Sequence, residues 1–301
     1  MDIINEGACI VQPLSPGWYN NRVAGIDMLR LDAIHPIISG NKWFKLKLNI
    51  AHALKEGSKG VLTFGGAYSN HLVATAAAAR ENNLSSVGIV RGLHHQHQPT
   101  DTLLKCVAYG MQLKYITIQE YRHKTDEEWL IALSAQYADH IIIPEGGANE
   151  EGRMGAGEIA QHIPACYTHI CLPVGTGTTL AGIRNALPEA QEIIGFAPLK
   201  GGDYLNEALR PFIHKANWHI TDRWHLGGFG KHGDELITFM NDFYGINKIP
   251  LDIIYTGKMM VGLHAMVAEN YFSPDAHILC IHTGGLQGNT SVSERLCYAG
   301  S

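Results

Sequence analysis

The chain has little of what would tie it to a membrane, a nucleic acid or an oxidising compartment. No run of roughly 18 uncharged apolar residues occurs, so no helical membrane span is expected. Basic charge is in short supply: 23 Lys and Arg stand against 28 Asp and Glu, a net charge of −5. Such a surface has no cationic field for nucleic acid or anionic lipid. The six cysteines (Cys9, Cys106, Cys166, Cys171, Cys280, Cys297) form no C-x-x-C pair, which argues against a zinc site and a disulfide framework and for a reducing compartment. The first residues, Met1 to Glu6, are acidic and lack a basic region followed by an apolar run. A secretory signal is therefore not expected, and a cytoplasmic location is. Internal repeats, heptads and low-complexity tracts are missing as well. Histidine is plentiful at 17 residues, but the run His94-His95-Gln96-His97 lies between Gly92 and Pro99 and reads as a solvated loop, so no metal is expected.

What remains is an ordinary globular composition, 46% hydrophobic and 17% charged over 301 residues, with 33 glycines. That length suffices for one large or two medium domains, and small-molecule chemistry is the default function class. Short β-rich runs alternate with helical stretches, the pattern of parallel sheets covered by helices. Strands are expected at 60–64, 87–90, 113–116 and 141–144, with helices at 70–83, 100–109 and 124–138. A second series has strands at 169–172, 192–196, 218–220 and 278–281, with helices at 155–162, 178–186, 234–243 and 258–270. The expected fold class is α/β: two open, mostly parallel α/β domains with an interdomain cleft, where ligands sit at strand C-termini. The large domain is placed at 1–50 and 153–301, the small one at 51–152.

The most informative segment is Ser39-Gly40-Asn41-Lys42-Trp43-Phe44-Lys45-Leu46. Apolar spacing from Trp43 to Leu54 predicts an amphipathic helix capped by Ser39 or Asn41, which puts Lys42 in the first turn. A cation there opposes the macrodipole by about 0.3–1 kcal/mol. Lys42 is either a solvated surface residue or an amine meant to lose its proton. Amine catalysis needs the second: lowering a lysine from about 10.4 to roughly 7–8 takes about 4 kcal/mol, more than the dipole supplies, so burial or a covalent imine must add the rest.

The other motifs fall at strand-to-helix junctions. Gly65-Gly66-Ala67-Tyr68-Ser69-Asn70-His71 places amides and a capping serine at a helix start, either a plain capped helix or a carboxylate cradle. Pro173-Val174-Gly175-Thr176-Gly177-Thr178-Thr179-Leu180 presents free N–H groups and three hydroxyls. It lacks the third glycine of a dinucleotide fingerprint and the Gly-Lys-Ser/Thr of a triphosphatase loop, so it is either a structural glycine turn or a monophosphate cup. Tyr255-Thr256-Gly257-Lys258 and His282-Thr283-Gly284-Gly285 complete the set, although Tyr255 read singly is a core ring.

An imine-forming amine, a phosphate cup, a carboxylate cradle and a hydroxyl after the last strand are the parts of a pyridoxal-phosphate site. In these motifs, and in Pro144-Glu145-Gly146-Gly147-Ala148-Asn149, the chain resembles the pyridoxal-phosphate enzymes of the tryptophan synthase β-subunit fold (fold type II). Within them it is similar to the aminocyclopropane-carboxylate deaminase and D-cysteine desulfhydrase group. The resemblance spans nearly the whole chain in order. It implies that Lys42 is the Schiff-base lysine and α-proton base, and that Lys45 approaches the phosphate together with Gly175, Thr176, Gly177, Thr178 and Thr179. It further implies that Asn70 bonds the pyridine 3′-oxygen, that Ser69 and His71 take the substrate carboxylate with Asn70 beside them, that Tyr255 stands beside the reacting carbon, and that Thr283 faces the pyridine nitrogen. Homodimers are common among such relatives, and a small amino acid is the implied substrate.

Where ring-opening deaminases carry a glutamate after the tyrosine, this chain has Thr256. A hydroxyl does not hold the pyridine nitrogen protonated, which favours β-elimination of a good leaving group: D-cysteine to pyruvate, ammonia and hydrogen sulfide. Aminocyclopropane-carboxylate deamination is the alternative. A cofactor carrier without turnover and a nucleotide-binding module are further rivals, and the substrate cradle argues against the carrier. Phe229 departs from the family, which often has a second active-site tyrosine there, and this leaves open another β-substituted D-amino acid as substrate.

Overall fold

The computed structural model describes residues 4–298. In chain order its elements are β1 (Val11–Pro13), β2 (Gly25–Arg30), α1 (Asn41–Lys55), β3 (Gly60–Gly65), α2 (Asn70–Glu81), β4 (Ser85–Arg91), α3 (Asp101–Ala108), β5 (Gln112–Ile116), α4 (Glu127–Gln136) and β6 (His140–Ile143). There follow α5 (Glu150–Gly157), β7 (His169–Pro173), α6 (Thr178–Ala186), β8 (Glu192–Phe196), α7 (Tyr204–Leu209), β9 (Trp218–Thr221), α8 (Asp234–Asn247), α9 (Thr256–Ala268) and β10 (His277–His282). The chain divides into two compact units, one of residues 1–41 with 157–301 and one of residues 42–156.

The discontinuous unit is built on a six-stranded sheet of order β1-β2-β10-β7-β8-β9, in which only the β1–β2 pair is antiparallel. The apolar run Ile278–Ile281 is fully buried because parallel strands at a sheet centre are covered on both faces. A core of Ile26, Met28, Ile194, Phe243, Met259, Leu263 and their neighbours lies on one face. Gly195 in β8 lets the elements around it approach closely: a Cβ there would meet Val174, Leu180 and Ile220 side chains at 2.6–2.9 Å.

The continuous unit holds a four-stranded, wholly parallel sheet of order β5-β4-β3-β6. All six residues of β3 are buried. Helix α2 buries nine consecutive residues, His71 to Ala79, and its alanines allow that close seat. Among the described residues, no helix is long and apolar enough to cross a membrane.

Two differences from the sequence expectation have physical causes. Strand β2 was not foreseen, since its polar Asp27 and Arg30 break up a short run. Its strand character comes from pairing in register with β10, His277 opposite Gly25 through His282 opposite Arg30. The helix expected at 155–162 starts earlier, as α5, and ends in a 3-10 turn at Glu158–His162. Gly152 and Gly155 weaken the local helix signal. They are needed because a Cβ at either would run into a backbone carbonyl, that of Gly147 or of Phe44.

Candidate active site

Each unit carries its share of the expected residues: Ser69 to His71 follow β3, Gly175 to Thr179 follow β7 and Thr283 follows β10, whereas Lys42 and Lys45 open α1 and Tyr255 follows a helix, α8, and not the strand expected before it. In the continuous unit, Lys42 and Lys45 lie in the first two turns of α1. Lys45 is buried, and its ammonium donates to the Gly146 carbonyl. That carbonyl is presented by a turn in which Gly146 and Gly147 take φ of 66° and 68°, a left-handed conformation that explains the glycine pair. Asn49 and Asn149 brace the same turn, Asn149 Nδ2 donating to Asn49 Oδ1 at 2.7 Å. The resemblance assigns Lys45 to the cofactor phosphate; the structure gives its ammonium a partner in the 144–149 turn.

Ser69 caps α2 by accepting from the Leu72 amide at 3.4 Å, with Asn70 opening the helix. His71 is buried beneath it. The Thr63 hydroxyl donates to the Ile143 carbonyl at 2.8 Å, so it accepts from His71 Nε2 at 2.9 Å. His71 Nδ1 is left buried without a hydrogen-bond partner. Burial pushes the His71 imidazole well below its usual range, and Lys45 and Lys42 push it the same way, with the Pro144 backbone opposing. Lys45 is likewise held well below the ordinary lysine range, by burial first and by Lys42 second. Burial thus disfavours the charged form of both groups, so Lys45 gives up its proton more readily than an exposed lysine. The resemblance makes His71 a carboxylate ligand; its imidazole is instead bonded to Thr63.

In the discontinuous unit, the loop after β7 turns through Gly177 at φ 80°, where a Cβ would collide with Leu209. Helix α6 starts there without a side-chain cap, so the amides of its first turn are free for an anion. Thr176 and Thr178 hydroxyls are 2.8 Å apart, and Thr179 Oγ1 accepts from Asn41 Nδ2 at 2.8 Å. Asn41 also donates its amide to the Thr283 carbonyl at 3.3 Å, and Gly40 is glycine because a Cβ would overlap that carbonyl. The residue covalently preceding Lys42 is thus held by both the Gly-Thr loop and the turn after β10.

Tyr255 lies beside the loop: a Cβ at Gly175 would meet its hydroxyl at 3.4 Å. Position 256 has a partner that the sequence did not show. The Thr256 hydroxyl donates to Asp252 Oδ2 at 2.6 Å and accepts from the Asp252 amide at 2.8 Å. Both of its hydrogen-bonding functions are used in capping α9, so Thr256 is committed to the helix start and not to a ring nitrogen. Thr283 is buried at the end of β10 and remains the hydroxyl that the resemblance assigns there.

Sequence reasoning missed Asp252, Thr63 and Lys258 as parts of this construction. Asp252 accepts from the amides of Ile254, Tyr255 and Thr256 at 3.0, 2.8 and 2.8 Å. An Asp four residues before a Thr at a helix start was the available signal.

The donor set suits pyridoxal phosphate. Lys42 offers an amine for the aldehyde, and the orphan amides and hydroxyls of residues 176–179 suit a monophosphate. The groups depressing His71 and Lys45 are burial and lysines, with no carboxylate among them, which leaves an anion welcome.

Comparison with known proteins agrees. The model of the "Pyridoxal-phosphate dependent enzyme" family matches residues 28–284. A putative 1-aminocyclopropane-1-carboxylate deaminase of Pyrococcus horikoshii is 27% identical over 277 residues, 86% of this chain and 84% of that protein. The crystal structure of an ACC deaminase homologue superposes with a TM-score of 0.81 at 24% identity, covering 98% of this chain and 94% of that one. A hydrogen sulfide-producing enzyme from Fusobacterium nucleatum shares the fold with a TM-score of 0.65 at 15% identity, over 95% and 97% of the two chains. The architecture is that of the tryptophan synthase β-like, fold type II enzymes, and the chain belongs to the pyridoxal-phosphate dependent enzyme family.

Proposed function

We propose that this protein is a lyase that removes ammonia from a small amino acid by β-elimination, with D-cysteine as the type substrate, acting as a cytoplasmic homodimer. Water is taken up, and pyruvate, ammonia and hydrogen sulfide are released. The observation that carries the reading is the Lys42–Lys45 pair at the start of α1, next to a buried histidine and with no carboxylate among the groups that shift it. When bound, pyridoxal phosphate supplies an electron sink for the α-carbon and binds through its aldehyde to an amine.

The chain's own residues do the rest. Lys42 would hold the cofactor through its amine, and the same amine would serve as the base for the α-proton. Lys45, one turn further along α1, is held below the ordinary lysine range by burial first and by Lys42 second. The amides at the start of α2 receive the substrate carboxylate, with Ser69 and Asn70 fixing its orientation and His71 supporting them from below. The first turn of α6 holds the phosphate. Tyr255 stands beside Gly175, placed to line the reacting carbon.

A second reading, 1-aminocyclopropane-1-carboxylate deaminase, is favoured by the similarity to the Pyrococcus protein and to the ACC deaminase homologue. One experiment separates the two: purified holoprotein is given D-cysteine, L-cysteine and the cyclopropane amino acid, and 2-oxo acids are identified. Pyruvate with sulfide supports elimination, 2-oxobutyrate supports the deaminase, and neither refutes both. Lys42→Ala is expected to abolish the visible absorbance of the holoprotein together with turnover; colour and activity surviving in that variant would remove the lysine from its role.

A further inference from the structure

The Tyr255-Thr256-Gly257-Lys258 motif contains one group that the proposed chemistry does not use. Lys258 stands at the third position of α9, with only 2% of its surface exposed. Its ammonium donates to two carbonyls of one loop, His225 at 2.8 Å and Gly228 at 2.7 Å. Burial lowers the amine to about 8, with the Asp252 carboxylate opposing. The loop so held is conformationally unusual: Leu226, Gly227 and Gly228 take φ of 50°, 91° and 110° in succession. His225 Nδ1 accepts the Gly227 amide at 3.0 Å, and the His225 carbonyl accepts the Gly228 amide at 3.1 Å.

The product of this construction is the placement of Phe229. Its ring is 55% exposed and meets the Tyr255 ring edge-on, centroids 5.9 Å apart at 71°. Tyr255 in turn lies beside Gly175. Gly175, Tyr255 and Phe229 therefore form one row that starts at the phosphate loop and ends in an exposed apolar ring. What sets Phe229 apart is that the turn leading into it is fixed from below by a buried amine and that its ring packs on Tyr255.

We infer that Lys258 is a positioning residue that pins the 225–228 turn, and that Phe229 is thereby a specificity wall beside Tyr255 selecting amino acids whose β-substituent is uncharged and apolar. The inference rests on the elimination reading above and narrows its substrate class. The phenyl ring offers contact and edge-to-face packing but no hydrogen bond, so an apolar β-thioether substituent, which leaves as a thiolate, gains more from it than the bare sulfhydryl of D-cysteine or a charged group.

The test compares wild type, Lys258→Met and Phe229→Tyr as holoenzymes on S-phenylcysteine and β-chloroalanine, each in both enantiomeric forms. Three readouts are taken: kcat and KM, the affinity ratio of the two amino acids from the cofactor's absorbance change on mixing, and amide hydrogen exchange of residues 224–231. In Lys258→Met, exchange in 224–231 is expected to rise at least tenfold while the visible absorbance persists. The wild-type preference for the phenylthio compound should fall about tenfold, through KM. Phe229→Tyr should lower the preference and leave exchange unchanged. Unchanged exchange in Lys258→Met, or a preference and affinity ratio equal in all three proteins, overturns the inference. If wild type releases no 2-oxo acid from either compound, the elimination reading falls by itself, and the affinity ratio and exchange still decide the roles of Lys258 and Phe229.

Discussion

Replacing Asp252 by alanine is the sharpest test of how the site is held. The side chain is fully buried and accepts four hydrogen bonds: three amides at 2.8–3.0 Å and the Thr256 hydroxyl at 2.6 Å. Losing a capping aspartate costs about 1–2 kcal/mol on its own. Here the orphaned amides are shut away from water, each unmet donor carrying a further penalty of about 1–3 kcal/mol that is not additive. The carboxylate also offsets part of the burial penalty on the Lys258 ammonium, so its loss adds to the cost. A total near 4 kcal/mol follows, roughly a thousandfold in the folding equilibrium. The assay is urea denaturation followed by tryptophan fluorescence, with the visible spectrum of the loaded protein in parallel. Asp252→Asn, which keeps acceptors but loses the charge, should fall between. A loss below about 1 kcal/mol in the alanine variant would refute the view that this carboxylate builds the start of α9.

Thr256→Ser keeps the hydroxyl and is expected to be nearly neutral in denaturant midpoint, whereas Thr256→Glu sets a second carboxylate against buried Asp252 and should destabilise by about 3 kcal/mol or more; equal midpoints would contradict the Thr256–Asp252 pairing as a support of α9. Arg184, fully buried at the last turn of α6, donates to the carbonyls of Leu187, Pro188, Gln191 and Asn217. Arg184→Ala should cost about 3–5 kcal/mol by leaving that carbonyl cluster unmet, and should weaken phosphate binding at the other end of the helix, checked by titration with inorganic phosphate. His71, depressed in the fold from 6.5, stays neutral there while the unfolded chain takes up a proton below that pH. Its contribution is therefore present above about pH 6.5 and lost as pH falls, with a slope of at most about 1.4 kcal/mol per pH unit. In the apoprotein, denaturation midpoints should drop less steeply between neutral pH and pH 5 for His71→Gln than for wild type, and parallel curves would contradict the neutral assignment.

The strand-to-helix junctions were legible because they are local. Glycines at 65–66 and 175–177, a serine before an alanine-rich helix and a lysine opening another each act within a few residues. Strands 192–196 and helix 178–186 have the bounds that their periodicity predicts. Strand β2 was not legible, since the pairing that makes it a strand involves β10, about 250 residues away. The bond from Asn41 to Thr179 and the Thr63–His71 pair were hidden for the same reason, though the latter spans only eight residues: it needs the bend between β3 and α2 to close.

By itself, then, the order of residues determined the parallel α/β class, the junction motifs and, through their resemblance, the cofactor family, because helix caps and glycine turns are set by neighbours in the chain. Only the folded chain decided that Thr256 serves a helix start, that Lys45 is bonded to the 146 carbonyl and that Lys258 holds the loop of Phe229. Those assignments depend on which distant carbonyl or carboxylate is within reach of a buried donor. A buried polar group takes the partner that the packing supplies, and packing is not written in any one stretch of sequence.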